Sequence, residues 1–220
     1  MTLDEAALER ELKARLGTPF KLAVAGDPFP EAELTAGESA RLRELRSTAR
    51  RAAWLRGRAA LKSLLGALGQ NPDTSKIHFP SARFSLTHSG DHAVAVGALS
   101  PSLRGIGVDL EIHREVHPDA ARFFLNRREQ SWWMELEKSV RSRELLRLWT
   151  VKEALFKSDP DNRDATLADY ALEDPEKQAG GAFGPGAGAP AMRYGSLLLP
   201  DAVLSLAVFP ERSFQDAGEK

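Results

Sequence analysis

Residues 105–111 constrain this chain more than any other segment. In Gly105-Ile106-Gly107-Val108-Asp109-Leu110-Glu111, the period-2 alternation of a strand puts Val108 and Leu110 on one face and Asp109 and Glu111 on the other. The apolar face needs a core to cover it, and two carboxylates then share the opposite face. With 220 residues, of which 42% are hydrophobic, the chain can bury such a core without staples. It contains no cysteine. Disulfides, thiolate ligands and a cysteine nucleophile are thereby excluded, a metal would need oxygen or imidazole ligands, and a reducing cytoplasm is expected.

The rest of the chain supplies partners for that strand. Leucines and Trp54 recur at helical intervals over residues 31–68, and a second helical region, rich in charge and tryptophan, covers residues 118–157. Between them, residues 83–90 and 92–98 read as a strand, a turn and a returning strand. Residues 203–209 form a closing strand, and the glycine- and proline-rich residues 180–190 read as a surface loop. Residues 1–16 set leucines among charges at helical spacing, unlike a secretory signal, and no stretch is apolar enough to span a membrane. The formal net charge of −1 gives no reason to expect nucleic-acid binding.

One internal echo bears on architecture. Trp54, Ala59 and Lys62 have the same spacing as Trp149, Ala154 and Lys157. A true duplication would give two like lobes with a site between them, although helix composition alone makes such spacing common.

Four groups of residues carry chemistry. Asp109 and Glu111 repel one another unless a cation lies between them, and their hard oxygens suit Mg2+, which takes phosphate oxygens at its remaining positions; the ordinary alternative is a solvated strand face. Glu153 and Lys157, four apart on a helix, are either an exposed ion pair or a ligand and a cation one turn apart at a diphosphate. His88 lies in Ser85-Leu86-Thr87-His88-Ser89-Gly90, where a histidine at a strand end can meet a phosphate. Arg41, Arg43, Arg46, Arg50, Arg51, Arg56 and Arg58 make a dense cationic stretch, either a solvated helix face or a reservoir for phosphates.

Three motifs in this order, Phe84 to Gly90 (F-S-L-T-H-S-G), Gly107 to Glu111 (G-V-D-L-E) and Trp149 to Lys157 (W-T-V-K-E-A-L-F-K), resemble the signature of the Sfp-type 4'-phosphopantetheinyl transferases. The ending after Lys157, with Asp169-Tyr170, is most similar to the enterobactin synthase component D branch. The resemblance implies an α+β fold, a pseudo-dimer of two similar lobes, each a small antiparallel sheet packed with a long helix, with the active site between them. Residues 1–103 would form the first lobe and residues 104–220 the second. It implies transfer of the phosphopantetheine arm of coenzyme A to a serine of an apo acyl or peptidyl carrier protein by a cytoplasmic monomer.

By position, the resemblance makes Asp109, Glu111 and Glu153 the Mg2+ ligands. Glu153 and Lys157 become the catalytic pair, and Arg41, Arg58, Thr87, His88, Asp109, Lys152 and Lys157 contacts of coenzyme A. A Gly-Lys-Pro turn found in many relatives is replaced by Lys76-Ile77-His78-Phe79-Pro80. A metal-dependent phosphohydrolase and a non-catalytic binding module are the competing readings. The apolar and aromatic residues of 123–140, flanked by Arg122, Arg127 and Arg128, suggest a docking surface for the carrier.

Overall fold

The computed structural model describes residues 3–187 and 191–211. Helix α1 (Glu5–Leu16) starts where the Asp4 carboxylate accepts from the Ala7 N–H, and ends at Gly17, whose φ of 59° is left-handed. Its stripe of Leu8, Leu12 and Leu16 is buried, as the leucine spacing predicts. Strand β1 (Lys21–Ala25) follows.

The helical region expected over 31–68 is interrupted. A 3-10 turn (Glu31–Glu33) precedes α2 (Ala36–Glu44), which opens with a Thr35/Glu38 capping box. Leu45 then turns extended, and the Ser47 hydroxyl caps a fresh helix, α3 (Thr48–Ala67), by accepting from the Arg50 N–H. Strands β2 (Phe84–Ser89) and β3 (His92–Gly97) make the expected hairpin, and β4 (Leu103–Ile112) contains the alternating segment. The second helical region is a 3-10 turn (Pro118–Phe123), α4 (Arg127–Glu135) and the long α5 (Lys138–Ser158).

The chain closes with β5 (Ala171–Leu172), β6 (Ala179–Phe183), β7 (Met192–Leu198) and β8 (Ala202–Pro210). Here the structure corrects the expected loop over 180–190. Residues 179–183 are a strand paired with both β5 and β7, because the ladder needs only backbone groups and the small side chains fit a half-buried position. Residues 188–190 lie outside the described residues.

Two antiparallel sheets result, one ordered β1-β3-β2 and the other β4-β8-β7-β6-β5. Each is covered by one long helix. Ala60, Leu61 and Leu64 of α3 pack on Ala93 and Ala95, and Val151, Ala154 and Leu155 of α5 pack on Val203 and Ala207. This is the expected α+β fold. A third cluster joins the halves: Leu8, Leu12 and Leu16 pack with Val94 and Val96 of one sheet and with Val108, Leu110 and Leu206 of the other. The same helix covers the open edge of β1, where the N–H groups of Leu22 and Val24 donate to the carboxylates of Glu9 and Glu5, each at 2.9 Å.

The two sheets also meet edge to edge, β2 against β4, through side chains. The N–H groups of Val108, Leu110 and Ile112 donate to the hydroxyls of Ser85, Thr87 and Ser89 at 3.1, 3.2 and 3.1 Å. Alternate residues of β2 thus satisfy alternate donors of β4, a three-rung hydroxyl seam that fixes register between the sheets. Among the described residues, no helix is long and apolar enough to cross a membrane.

Candidate active site

The site is built by an unusually close contact between α5 and β4. A Cβ placed on Gly105 would lie 1.9 Å from the Ser158 carbonyl oxygen, and one on Gly107 2.0 Å from that of Ala154. Both glycines share the strand face of Asp109 and Glu111, so the helix backbone rests directly on the strand and holds Glu153 and Lys157 against the carboxylates. Lys157 Nζ donates to Asp109 Oδ1 at 2.7 Å and lies 3.9 Å from Glu153 Oε2. Glu111 accepts from Trp149 Nε1 at 3.2 Å and from Arg114 at 3.3 Å.

Asp109 is buried, with 5% of its surface exposed. Its Oδ1 accepts from Lys157 and from the Thr87 hydroxyl at 3.0 Å. Its Oδ2 is buried without a hydrogen-bond partner among the described residues. Burial raises the Asp109 pKa from 3.8 to about 6, against the opposing pull of Lys157 and with further help from the charges of Glu153 and Glu111.

That shift has a definite sign. The folded protein holds this proton more tightly than the unfolded chain, so Asp109 loses stability as pH rises from 3.8 through about 6. The full cost above that window is up to about 3 kcal/mol. Asp109→Asn, which imitates the protonated acid, is expected to match the parent in chelator at pH 4 and to gain stability over it progressively up to pH 7. Denaturant midpoints across that range check this, and a constant difference between the two proteins would contradict it.

The donor set fits a hard divalent cation in kind: Glu153 and Glu111 are near enough for their charges to act on Asp109, and one buried Asp109 oxygen lacks a donor among the described residues. Among the described residues, however, no three acidic or imidazole groups already stand in a metal-holding arrangement. The Lys157 ammonium lies between Asp109 and Glu153, while Arg114 neutralises Glu111.

The other expected site residues are distributed as follows. His88 is exposed at the end of β2, and its pKa is lowered by partial desolvation of the ring and by the charge of Lys157. Thr87 is buried in the hydroxyl seam beside Asp109. Lys152, expected to contact coenzyme A, is fully buried and donates to Glu129 at 2.8 Å and to the Tyr170 carbonyl. Adjacent helical residues point about 100° apart, and Lys152 takes the side of α5 that meets Glu129 of α4.

Arg58 is buried on α3, its guanidinium 4.8 Å from the Trp54 ring and bonded to the Thr74 hydroxyl, with Nε unpartnered among the described residues. Arg41 is exposed on α2 and pairs with Glu44. Neither arginine touches the carboxylate group. Trp149 and Ser89 lie inside the quoted motifs but, like Arg114, were given no site role from the sequence; the tryptophan's place one helical turn before Glu153 was the available signal.

A concavity of about 280 Å³, lined by Phe79, Pro80, Phe84, Leu86, Phe156 and Lys157 among others, opens beside Lys157. A larger one of about 380 Å³, rich in aspartates, shares no residue with the carboxylate group. Of the two, the smaller shares one residue, Lys157, with the group described above. Of the stretch expected to dock a carrier, Phe123, Met134 and Val140 are exposed, whereas Phe124, Leu125 and Trp133 belong to the core.

No curated protein gives a significant match to the chain. The segment that supplies Asp109, Glu111, Glu153 and Lys157, residues 105–180, matches the family model of the 4'-phosphopantetheinyl transferase superfamily.

Proposed function

We propose that this protein transfers the 4'-phosphopantetheine arm of coenzyme A to a serine hydroxyl of an apo carrier protein, with Mg2+ held by Asp109, Glu111 and Glu153. The observation that carries the reading is Lys157: a lysine bonded to a buried carboxylate that keeps one oxygen free, inside the segment matched by the superfamily model. The order of the three motifs supports the finer assignment to the Sfp type, and the ending with Asp169-Tyr170 is what suggests the enterobactin synthase component D branch. The same resemblance supports a cytoplasmic monomer, with residues 1–103 supplying His88 and the basic residues and residues 104–220 supplying the carboxylates.

In this mechanism the serine oxygen attacks the phosphorus that bears the pantetheine arm. A new phosphorus–oxygen bond forms, the diphosphate bond breaks, and 3',5'-adenosine bisphosphate leaves with the electron pair. Glu153 accepts the serine proton. Lys157 turns from Asp109 toward the diphosphate and steadies the charge that develops there. The metal, when bound, supplies neutralisation of that charge and alignment of the two oxygens. His88, next to the Lys157 charge, meets a phosphate at the adenosine end. Arg41 and Arg58 would serve the same cofactor only after local rearrangement. Phe123, stacked by Arg122 at 4.7 Å, and Met134 are exposed apolar side chains that would meet the carrier, with Arg122, Arg127 and Arg128 steering it.

The test is to incubate purified protein with coenzyme A, Mg2+ and an apo carrier and to weigh the carrier. Addition of one phosphopantetheine per serine is expected. Free phosphopantetheine with an unmodified carrier would indicate the phosphohydrolase instead, and no reaction on either substrate would indicate a binding module.

A further inference from the structure

Thr87 stands apart from the other two rungs of the hydroxyl seam. All three hydroxyls accept a β4 N–H at nearly equal length, so their backbone role is the same. Among the described hydrogen bonds, Ser85 touches no carboxylate, and Ser89 reaches Glu111 Oε2 only at 3.5 Å. Thr87, 4% exposed, donates at 3.0 Å to Asp109 Oδ1. A hydroxyl has a single proton. Given to Asp109, it is not available to a ligand, and the burial of Thr87 keeps ligands away from it.

We infer that Thr87 is a positioning residue for Asp109 rather than a contact of coenzyme A. Its hydroxyl and Lys157 Nζ hold Oδ1 from two directions. With Oδ1 pinned, rotation about the carboxylate is blocked, and Oδ2, the buried oxygen without a donor among the described residues, is held in one position. If Lys157 swings toward a diphosphate, Thr87 becomes the remaining side-chain donor to that oxygen, so aim is kept while the counter-charge moves. The inference rests on the proposed function in taking Asp109 as a metal ligand, and it departs from what the motif alone suggests for this threonine.

Three variants decide it: Thr87→Val, which keeps shape and removes the hydroxyl, Thr87→Ser, which restores it, and Ser85→Ala, which removes a rung that serves no carboxylate. Each is measured for thermal midpoint, for Mn2+ affinity of the protein alone by electron paramagnetic resonance, and for kcat and KM in arm transfer. T87V and S85A are expected to lose similar thermal stability, since each orphans one strand N–H. Only T87V should weaken Mn2+ binding and lower kcat, each by about 10- to 100-fold, with the KM for coenzyme A within about twofold of the parent.

T87S should recover both. Equal Mn2+ affinities in T87V and S85A would overturn the inference, as would a T87V defect confined to the KM for coenzyme A or a failure of T87S to rescue. Should T87V not fold, Thr87→Cys, with a much weaker donor of similar size, makes the same comparison. The Mn2+ arm judges Thr87 even if the parent transfers nothing, an outcome that would remove the proposed function alone.

Discussion

Asp109→Asn and Glu111→Gln should each lower arm transfer by about 10²- to 10³-fold in kcat/KM while leaving the fold intact. Each substitution keeps the shape of the side chain and one accepting oxygen, for Thr87 and Lys157 in one case and for Trp149 in the other, where only the Oε2 bonds from the exposed Arg114 and from Ser89 are given up. What is lost is one negative charge and one hard ligand, and a metal clamp contributes several kcal/mol of charge stabilisation in the transition state. At about 1.4 kcal/mol per tenfold change, a few kcal/mol give the stated range. Near-ultraviolet circular dichroism and steady-state kinetics at saturating Mg2+ check both halves. Either variant working at the parent rate would remove that residue from the metal site.

The second large effect is on the fold. Gly107→Ala is expected to destabilise the protein by about 3 kcal/mol or more, beyond the ordinary range for overpacking, because the new methyl would lie 2.0 Å from a helix carbonyl oxygen and 2.6 Å from the Ser158 nitrogen. These are backbone atoms inside α5 and cannot rotate aside. The helix must lift from β4, and transfer should fall with it, since Glu153 and Lys157 leave Asp109 together. Gly66→Ala is the control: nothing lies within 4 Å of its position at the end of α3, and a helical alanine there should stabilise by about 0.5–1 kcal/mol. Thermal melts compare the two. A Gly107→Ala protein that melts with the parent would show that the helix and strand are not in the contact described.

Much of this site was legible because strand alternation is strict. Placing Asp109 and Glu111 on one face required only the period of two, and Leu110 and Val108 are fully within the core as that period demands. Helical spacing likewise put Glu153 and Lys157 on one face. It says nothing of the partner of Lys152, which is Glu129, 23 residues away in sequence and buried with it. The seam was equally hidden. Ser85, Thr87 and Ser89 read locally as a polar face of a hairpin, and only the meeting of two sheet edges gives them strand N–H groups to accept from. Residues 179–183 were hidden for another reason, since glycine-rich composition weakens strand propensity while the neighbouring ladders of β5 and β7 supply the order.

The cover that α1 provides for β1 affects how molecules of this protein meet one another. Exposed strand edges recruit edges from other molecules through free N–H and carbonyl groups, the route to sheet-mediated aggregation. On this side the invitation is withdrawn, for Glu5 and Glu9 already hold the N–H groups that an incoming strand would need, and their charges repel a second copy presenting the same helix. On the opposite side, the edge of β2 is spent on β4. Among the described residues, the smaller sheet therefore offers no ready template at either edge, one being covered by an amphipathic helix and the other by a row of hydroxyls.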